Sequence, residues 1–428
     1  MDTIFAQATA TGRAGVSVIR VSGPQAFDIA SVFCDLPDVG RIGLRAVRGC
    51  DGALIDRAVV LCFENGASFT GERVVEFQVH GGLATVARLL SELSAQKGCR
   101  LAEPGEFTRR ALENGQLDLN QVEALSDLID AETESQRQQA IRVLDGSFGD
   151  AGERWRGKLL RAAALLEASI DFSDEEIPDD LSVEVIHLVE ETRASISAIL
   201  ERSTVAAKIR TGFTVAIIGA PNVGKSTLLN SIVGRQAAIT SDVAGTTRDV
   251  IECRVDLQGL AVSFLDTAGL RDSKDEIEKL GISKAYEMAD AADIRVFLIE
   301  EEGEPLAITM RDGDIVRLNK GDERGLDVEA ISGKTGQGVS ELLNLIAERL
   351  AVKTPTDVVA IRERQITGLR AAESFLARVL TLVQSDPLPF ELASQELYFA
   401  LSELDFVFGR IDIESVLDEI FSSFCLGK

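Results

Sequence analysis

The segment from Gly219 to Thr227 reads GAPNVGKST and fits the phosphate-binding pattern G-x-x-x-x-G-K-[ST]. It follows the apolar run FTVAIIG, which predicts a strand buried on both faces, and it precedes the helical sequence STLLNSIVG. Glycines let backbone N–H groups surround phosphates at a helix N-terminus. Lys225 is predicted to reach the β- and γ-phosphates, and Ser226 to bind Mg²⁺. A glycine-rich turn without a ligand would give the same single match, so further signals are needed.

Three further motifs follow in order. DTAG places Asp266 and Gly269 after the apolar run LAVSFL, where the aspartate can hold magnesium and the glycine N–H can meet the γ-phosphate. NKGD ends on Asp322, whose carboxylate can accept N1–H and N2–H₂ of guanine, which adenine does not offer. SGK, residues 332–334, stands where a base-supporting loop belongs. Four elements in this order predict a GTP-binding domain and GTPase activity.

The polar segment TSDVAGTTRD, residues 240–249, lies between these motifs, and Thr247 is a candidate second Mg²⁺ ligand. Arg248 and Arg271 are interpreted as structural, because arginines at domain surfaces are usually solvated. A monovalent cation held by the side-chain carbonyl of Asn222 could stabilise the transferring phosphoryl group instead. The predicted GTP-binding residues are Asn222, Val223, Gly224, Lys225, Ser226, Thr227, Ser241, Asp242, Val243, Ala244, Gly245, Thr246, Thr247, Asp266, Thr267, Ala268, Gly269, Asn319, Lys320, Asp322, Ser332, Gly333 and Lys334.

Composition narrows the class of protein. The chain has 428 residues, 44 basic against 69 acidic, for a net charge of -25, so it repels phosphate backbones at long range. Contact with nucleic acid would then need a local basic patch or a basic partner. Six cysteines without a C-x-x-C pair argue against a disulfide framework and a zinc site. No apolar run has the length of a membrane span, and the N-terminus lacks the pattern of a secretion signal, so we expect a cytoplasmic protein.

The pattern of apolar and polar residues along the chain predicts four segments. Residues 1–118 read as an α+β domain, 119–209 as the first half of a helical domain, 210–352 as an inserted α/β P-loop GTPase domain, and 353–428 as the second helical half with its terminal tail. The two helical halves would form one bundle, because a domain can be inserted where its own termini lie close together. The alternative is two separate helical domains.

The motifs also resemble a known family. GAPNVGKSTLLN, DVAGTTRD and DTAGLRDSKDEIEKLGI resemble the TrmE–Era–EngA class of GTPases. DTIFAQATATGRAGVSVIRVSG, FTGERVVEFQVHGG, PGEFTRRALENGQLDLNQVEALSDLI and the terminal CLGK narrow the resemblance to the MnmE (TrmE) family. The match runs from residue 2 to residue 428.

The resemblance implies a function for the whole chain. It implies a homodimer that works with the flavoprotein MnmG (GidA), in a heterotetramer or larger complex, on tRNA. Together they would add a (carboxymethyl)aminomethyl group to C5 of the wobble uridine, U34, using a one-carbon unit from 5-formyl-tetrahydrofolate or a related tetrahydrofolate. It further implies potassium-stimulated GTP hydrolysis, activated when the two GTPase domains of the dimer meet.

The resemblance also implies roles for particular residues. Glu278 would orient the attacking water, although a lone glutamate usually lies on a solvated helix face. Ser226 and Thr247 would hold Mg²⁺, and Cys425 is a candidate reactive thiol. Potassium would be held by Asn222, Ser241, Val243 and Thr246, and folate by Arg20, Glu76, Gln116 and Lys428.

This sequence departs from the family pattern at two places. Gln116 stands where the family pattern has a lysine, so the side chain can hydrogen-bond a ligand but brings no charge. About 14 residues separate the runs IRVFLI and DIVRL, close to the minimum for a helical crossover, so we expect a truncated or missing helix there.

Two other classes of protein remain open. A regulatory GTPase acting on ribosome assembly, like Era, would carry an RNA-binding appendage such as a KH module, and no suitable GXXG loop is evident. A folate-binding scaffold with a vestigial GTPase domain would have a degraded P-loop, whereas this P-loop is intact.

Overall fold

The computed structural model describes residues 2–171, 180–235, 252–266, 287–306, 308–324, 330–352, 362–385, 388–411, 420, 421, 424 and 427. The chain forms two compact units, residues 1–126 with 402–428, and residues 127–401. The four segment boundaries predicted from the sequence stay predictions. None of the described helices is long and apolar enough to cross a membrane.

The first unit is built on a six-stranded sheet of order β3-β4-β5-β2-β1-β6. Neighbouring strands are antiparallel, except that β6 runs parallel to β1. Val86, Leu89 and Leu93 recur at helical spacing on α2 and are buried in the core shared with the sheet. The elements are β1 (Thr3–Gln7), β2 (Ala14–Ser22), α1 (Ala26–Ser31), β3 (Gly43–Arg48), β4 (Leu54–Phe63), β5 (Val74–Gly81), α2 (Leu83–Ser94), β6 (Cys99–Leu101), α3 (Glu106–Glu113) and α4 (Leu119–Ile129).

The second unit holds a five-stranded sheet of order β11-β10-β7-β9-β8. β7, β9, β10 and β11 are parallel, and β8 is antiparallel to β9. The strands are β7 (Phe213–Gly219), β8 (Glu252–Leu257), β9 (Leu260–Asp266), β10 (Ile294–Ile299) and β11 (Ile315–Leu318). The helices are α5 (Glu134–Leu144), α6 (Ser147–Asp171), α7 (Asp180–Thr211), α8 (Lys225–Arg235), α9 (Gly321–Arg324), α10 (Val339–Val352), α11 (Glu363–Val383) and α12 (Phe390–Val407).

Helices from both sides of the inserted sheet pack together. Glu373 on α11 accepts hydrogen bonds from Arg193 Nε at 3.2 Å and from Ser197 Oγ at 3.1 Å, both on α7. The alternative of two separate helical domains therefore fails for these helices. The predicted fold class, an α+β domain followed by a helical bundle with an inserted α/β GTPase domain, is confirmed.

The link between β10 and β11 lacks a crossover helix in its described residues, 300–306 and 308–314, as its length predicted. Leu306 and Ile308 from the link instead pack beside Phe297, on the face that such a helix would cover. A buried ion pair joins Arg295 on β10 to Asp314 at the end of the link, with Arg295 Nη2 2.6 Å from Asp314 Oδ2. Burial alone would raise the pKa of Asp314, but hydrogen bonds from Arg295 and from the Arg311 backbone N–H outweigh it and hold the pKa below its usual value.

Candidate nucleotide and folate sites

The P-loop connects the C-terminal end of β7 to α8. Asn222 and Gly224 adopt positive φ angles of 64° and 101°. A side chain at position 224 would run into the Asn319 amide, and one at 219 would strike the Leu298 carbonyl, so both positions need glycine. Because the loop turns tightly into the first residue of α8, its backbone N–H groups can line an anion site.

Lys225 is held inside this loop with only 5% of the residue exposed. Its Nζ donates to the carbonyl oxygens of Gly219 at 2.8 Å and Ala220 at 2.9 Å. Burial lowers the pKa of Lys225, and the nearby Asp266 carboxylate opposes that shift. The ammonium group is thus placed at the rim of the loop, where phosphates would replace the carbonyl partners.

Ser226 and Asp266 meet across the site. Ser226 Oγ donates to Asp266 Oδ2 at 2.7 Å, and Asp266 is buried at the end of β9. A hydroxyl and a carboxylate oxygen side by side are a donor set that suits Mg²⁺, which prefers oxygen ligands and uses few protein groups at nucleotide sites. These residues fit the magnesium that phosphoryl transfer requires.

The guanine motifs converge on the same edge of the sheet. The Asn319 side-chain amide donates to the Val223 carbonyl, which ties NKGD to the P-loop. Asp322 lies in α9 with an exposed side chain, and Lys320 pairs with Glu300 at 3.0 Å. Gly333 packs so closely on α8 that an added Cβ would lie 2.7 Å from the Leu228 N atom. The P-loop and the NKGD and SGK segments therefore lie next to one another.

Several predicted site residues lie outside the described residues, so their positions stay predictions. They are Ser241, Asp242, Val243, Ala244, Gly245, Thr246, Thr247, Thr267, Ala268, Gly269, Glu278, Cys425 and Lys428.

In the first unit, the structure brings Arg20 and Glu76 together. They face each other in the β2–β5 register, and Arg20 Nε lies 2.9 Å from Glu76 Oε1. The guanidinium carbon is 5.2 Å from the Phe69 ring centroid and 5.6 Å from that of Phe107. The pair is mostly buried, with each side chain 17% exposed. A charged pair flanked by two aromatic rings can bind a flat polar ligand by hydrogen bonds and stacking.

A buried ionic network holds the elements that carry these rings. Arg110 on α3 lies 3.2 Å from Glu72, 3.0 Å from Glu106 and 2.8 Å from Asp2. Glu72 follows Phe69 in the β4–β5 loop, and Arg110 is one helical turn from Phe107. Sequence reasoning missed Phe69 and Phe107, although both stand inside the FTGER and PGEFTRRA segments that carried the resemblance.

Gln116, a third predicted folate residue, lies beside this loop, and Gly427 near the C-terminus lies against β1. The Gln116 side chain is exposed and lies beside Gly71, two residues from Phe69. Near the C-terminus, Gly427 has φ +99°, and an added Cβ would clash with the Gln7 carbonyl. Because Ala6 pairs with Arg20, the tail reaches β1 next to the strand position that faces Arg20. Phe421 and Phe424 pack with Val122 in a small core that anchors the tail.

Comparison with known proteins decides the family. A family model for the MnmE helical domain matches residues 119–425, and one for the GTP-binding protein TrmE N-terminus matches residues 3–116. The tRNA modification GTPase MnmE of Ruegeria pomeroyi is 53% identical, and that of Roseobacter denitrificans 52%, each over 100% of both chains. This chain belongs to the MnmE family of tRNA modification GTPases.

Two solved structures resemble part of this MnmE-family chain. An Era variant from Aquifex aeolicus bound to GDP and aluminium fluoride is 26% identical and covers 38% of this chain and 66% of its own, with a TM-score of 0.26. The G domain of the FeoB iron transporter of T. maritima is 24% identical and covers 32% of this chain and 98% of its own, with a TM-score of 0.24. At these TM-scores the likeness supports no conclusion. The MnmE assignment rests on the full-length relatives and family models.

Proposed function

We propose that this chain, together with a flavoprotein of the MnmG (GidA) kind, adds a (carboxymethyl)aminomethyl group to C5 of wobble uridine U34 in certain tRNAs. The one-carbon unit would come from 5-formyl-tetrahydrofolate or a related tetrahydrofolate. The observation that carries the folate part is the Arg20–Glu76 pair, 2.9 Å apart, in which the Arg20 guanidinium also lies beside two aromatic rings. Folate offers a flat ring for stacking, ring N–H and amino donors for Glu76, and carbonyl or carboxylate oxygens for Arg20.

The net charge of this chain favours the flavoprotein as the main tRNA-binding partner. With a net charge of -25, this chain is a poor binder of the tRNA backbone by itself. The flavoprotein partner would therefore supply most of the basic surface for tRNA. This chain would bind the folate and hydrolyse GTP. It would act as a homodimer within a heterotetramer or larger complex.

The folate assignment can be tested with a matched pair of arginine variants. Arg20→Ala is expected to weaken binding of 5-formyl-tetrahydrofolate and to abolish restoration of wobble-uridine modification in a host that lacks its own enzyme. Arg73→Ala is the control, because Arg73 also pairs with a glutamate, Glu64 at 3.0 Å, and sits over a phenylalanine ring in the same unit. Calorimetric titration and mass spectrometry of tRNA nucleosides are the measurements. If Arg20→Ala and Arg73→Ala bound folate and modified tRNA equally well, Arg20 would not belong to the folate site.

We further propose that potassium stimulates hydrolysis, with Asn222 supplying one ligand and the 241–246 segment the others. Asn222 is exposed in the P-loop, and its positive φ projects it from the turn, so its side-chain oxygen is available to a cation. Glu278 would orient the attacking water, and Ser226 with Thr247 would hold Mg²⁺. Contact between the two GTPase domains of the dimer would complete the potassium site.

GTP hydrolysis is expected to be faster in potassium than in sodium, by about tenfold or more, because an added cation stabilises the charge that develops on the phosphoryl group. Asn222→Ala should remove that difference. The measurement is phosphate release in matched chloride salts, with Arg248→Ala and Arg271→Ala as comparison variants. Equal rates in both salts, combined with loss of turnover in either arginine variant, would show that an arginine stabilises this charge.

A further inference from the structure

The hairpin formed by β8 and β9 turns at Gln258 and Gly259, whose φ angles are 54° and 86°. Two consecutive positive φ angles in a two-residue loop are typical of a tight type I′ turn. The tip of this turn lies against the start of α5, where the Gly259 carbonyl accepts a hydrogen bond from the Ser135 backbone N–H at 3.2 Å. A group from the GTPase sheet thus satisfies one of the free N–H groups at the start of a helix in the helical domain.

An ion pair reinforces this contact. Arg254 Nε on β8 lies 2.8 Å from Glu132 Oε2, just before α5, and both side chains are about one-third exposed or less. At the start of α5 itself, Thr133 and Gln136 form a capping box, in which Gln136 Oε1 accepts from the Thr133 backbone N–H at 3.1 Å. The hairpin therefore adds to this helix cap a hydrogen-bond acceptor from a distant part of the chain.

The far end of the same hairpin is at the nucleotide site. β9 is buried along all seven residues and ends on Asp266, which accepts the hydrogen bond from Ser226 at 2.7 Å. A strand of this length spans about 20 Å. β9 lies inside the sheet and is hydrogen-bonded to β7 on one side and to β8 on the other, so it cannot bend at one residue without breaking these ladder bonds. A shift of Asp266 would therefore reach the turn.

Beyond the turn, α5 is tied to the end of α7. Gln136 Nε2 donates to the Arg210 carbonyl at 3.0 Å, and Gln139 Nε2 donates to the Ala206 carbonyl at 3.1 Å. These bonds make α5 and the end of α7 one block, so a displacement of the hairpin tip would pass to both helices.

We propose that Glu132 and Arg254 are positioning residues that couple the state of the nucleotide site to the helical domain, through the hairpin and the start of α5. Neither residue belongs to the nucleotide-binding motifs: Arg254 lies on β8 and Glu132 lies just before α5. Their effect is to keep the hairpin tip and α5 moving together. Only the tRNA readout of this inference rests on the proposed function, because the movement itself can be measured on the chain alone.

The test uses Glu132→Gln and Arg254→Met singly, and a double variant in which the two charges are exchanged, Glu132→Arg with Arg254→Glu. Arg137→Gln is the control, because it breaks an exposed ion pair of 2.7 Å on the same helix that does not involve the hairpin. Hydrogen exchange of residues 133–144 is compared between GDP and GDP with aluminium fluoride. GTP hydrolysis, wobble-uridine modification and melting temperature are measured in parallel.

The single variants are expected to melt and hydrolyse GTP like the parent, to lose the nucleotide-dependent exchange difference in α5, and to modify tRNA about fivefold less or worse. The charge-exchanged variant should recover both readouts, and Arg137→Gln should keep them. Single variants that retain the exchange difference would overturn the inference, and so would an exchange difference that the double variant fails to restore. If the parent chain itself modified no tRNA, the proposed function would be wrong. Hydrogen exchange of residues 133–144 would still test whether the nucleotide site is coupled to α5.

Discussion

Replacing Asp322 with asparagine is expected to weaken GTP binding by about 10²- to 10⁴-fold. The variant would lose the two hydrogen bonds that the Asp322 carboxylate accepts from guanine. Each is worth about 1.5–3 kcal/mol, because one partner is charged. The asparagine amide would place a donor where guanine also has donors, so the pairing becomes repulsive. Xanthosine triphosphate carries an oxygen at the 2-position, so the same variant should gain affinity for it.

Nucleotide titrations of the parent and variant would measure this exchange of specificity. Because Asp322 is exposed in α9, the substitution should leave folding unchanged, and the melting temperature would check that point. Asp312→Asn is the control, since Asp312 is also exposed and lies in the β10–β11 link of the same unit. Unchanged GTP affinity in Asp322→Asn would contradict the guanine assignment.

Deleting residues 425–428 is expected to abolish high-affinity folate binding and wobble-uridine modification while leaving GTP hydrolysis near normal. The tail belongs to the same compact unit as Arg20 and Glu76, whereas the P-loop belongs to the other. Gly427 lies against the Gln7 carbonyl on β1, the strand whose Ala6 pairs with Arg20. Loss of the tail should open this side of the proposed folate site without affecting the nucleotide motifs.

Gly427→Ala is a milder version of the same test. Its Cβ would clash with the Gln7 carbonyl, and the positive φ of +99° is strained for any other residue, so the tail should dock less tightly. Gly115→Ala is the control, because Gly115 has a positive φ of 67° in open space. Folate titration would compare the two. A tail-deleted chain that binds folate and modifies tRNA normally would show that the terminus has no part in the site.

Chemistry by Cys425 is separable from docking of the tail. Cys425→Ser should keep folate binding and lose modification only if the thiol reacts. Cys50→Ser is the matched control, because Cys50 is exposed in the same unit. Normal modification by Cys425→Ser would leave the tail with a binding role alone.

The sequence by itself predicted a phosphate-binding turn between a strand and a helix, and the structure forms that turn between β7 and α8. A P-loop is one contiguous segment whose backbone binds phosphate, so glycine spacing and Lys225 predict it without knowledge of distant contacts. The count of residues between β10 and β11 likewise predicted a truncated or missing crossover helix, because a helix needs a minimum length of chain, and the described residues 300–306 and 308–314 form none.

Only the tertiary structure decided which distant residues meet. Strand pairing sets Arg20 opposite Glu76, 56 positions later, and no local periodicity encodes that register. The same holds for Phe69 and Phe107 beside Arg20, for Gly427 against Gln7, and for Glu132 with Arg254. Each contact joins segments far apart in the chain, and its geometry follows from how sheets and helices pack rather than from the residues next to it in sequence.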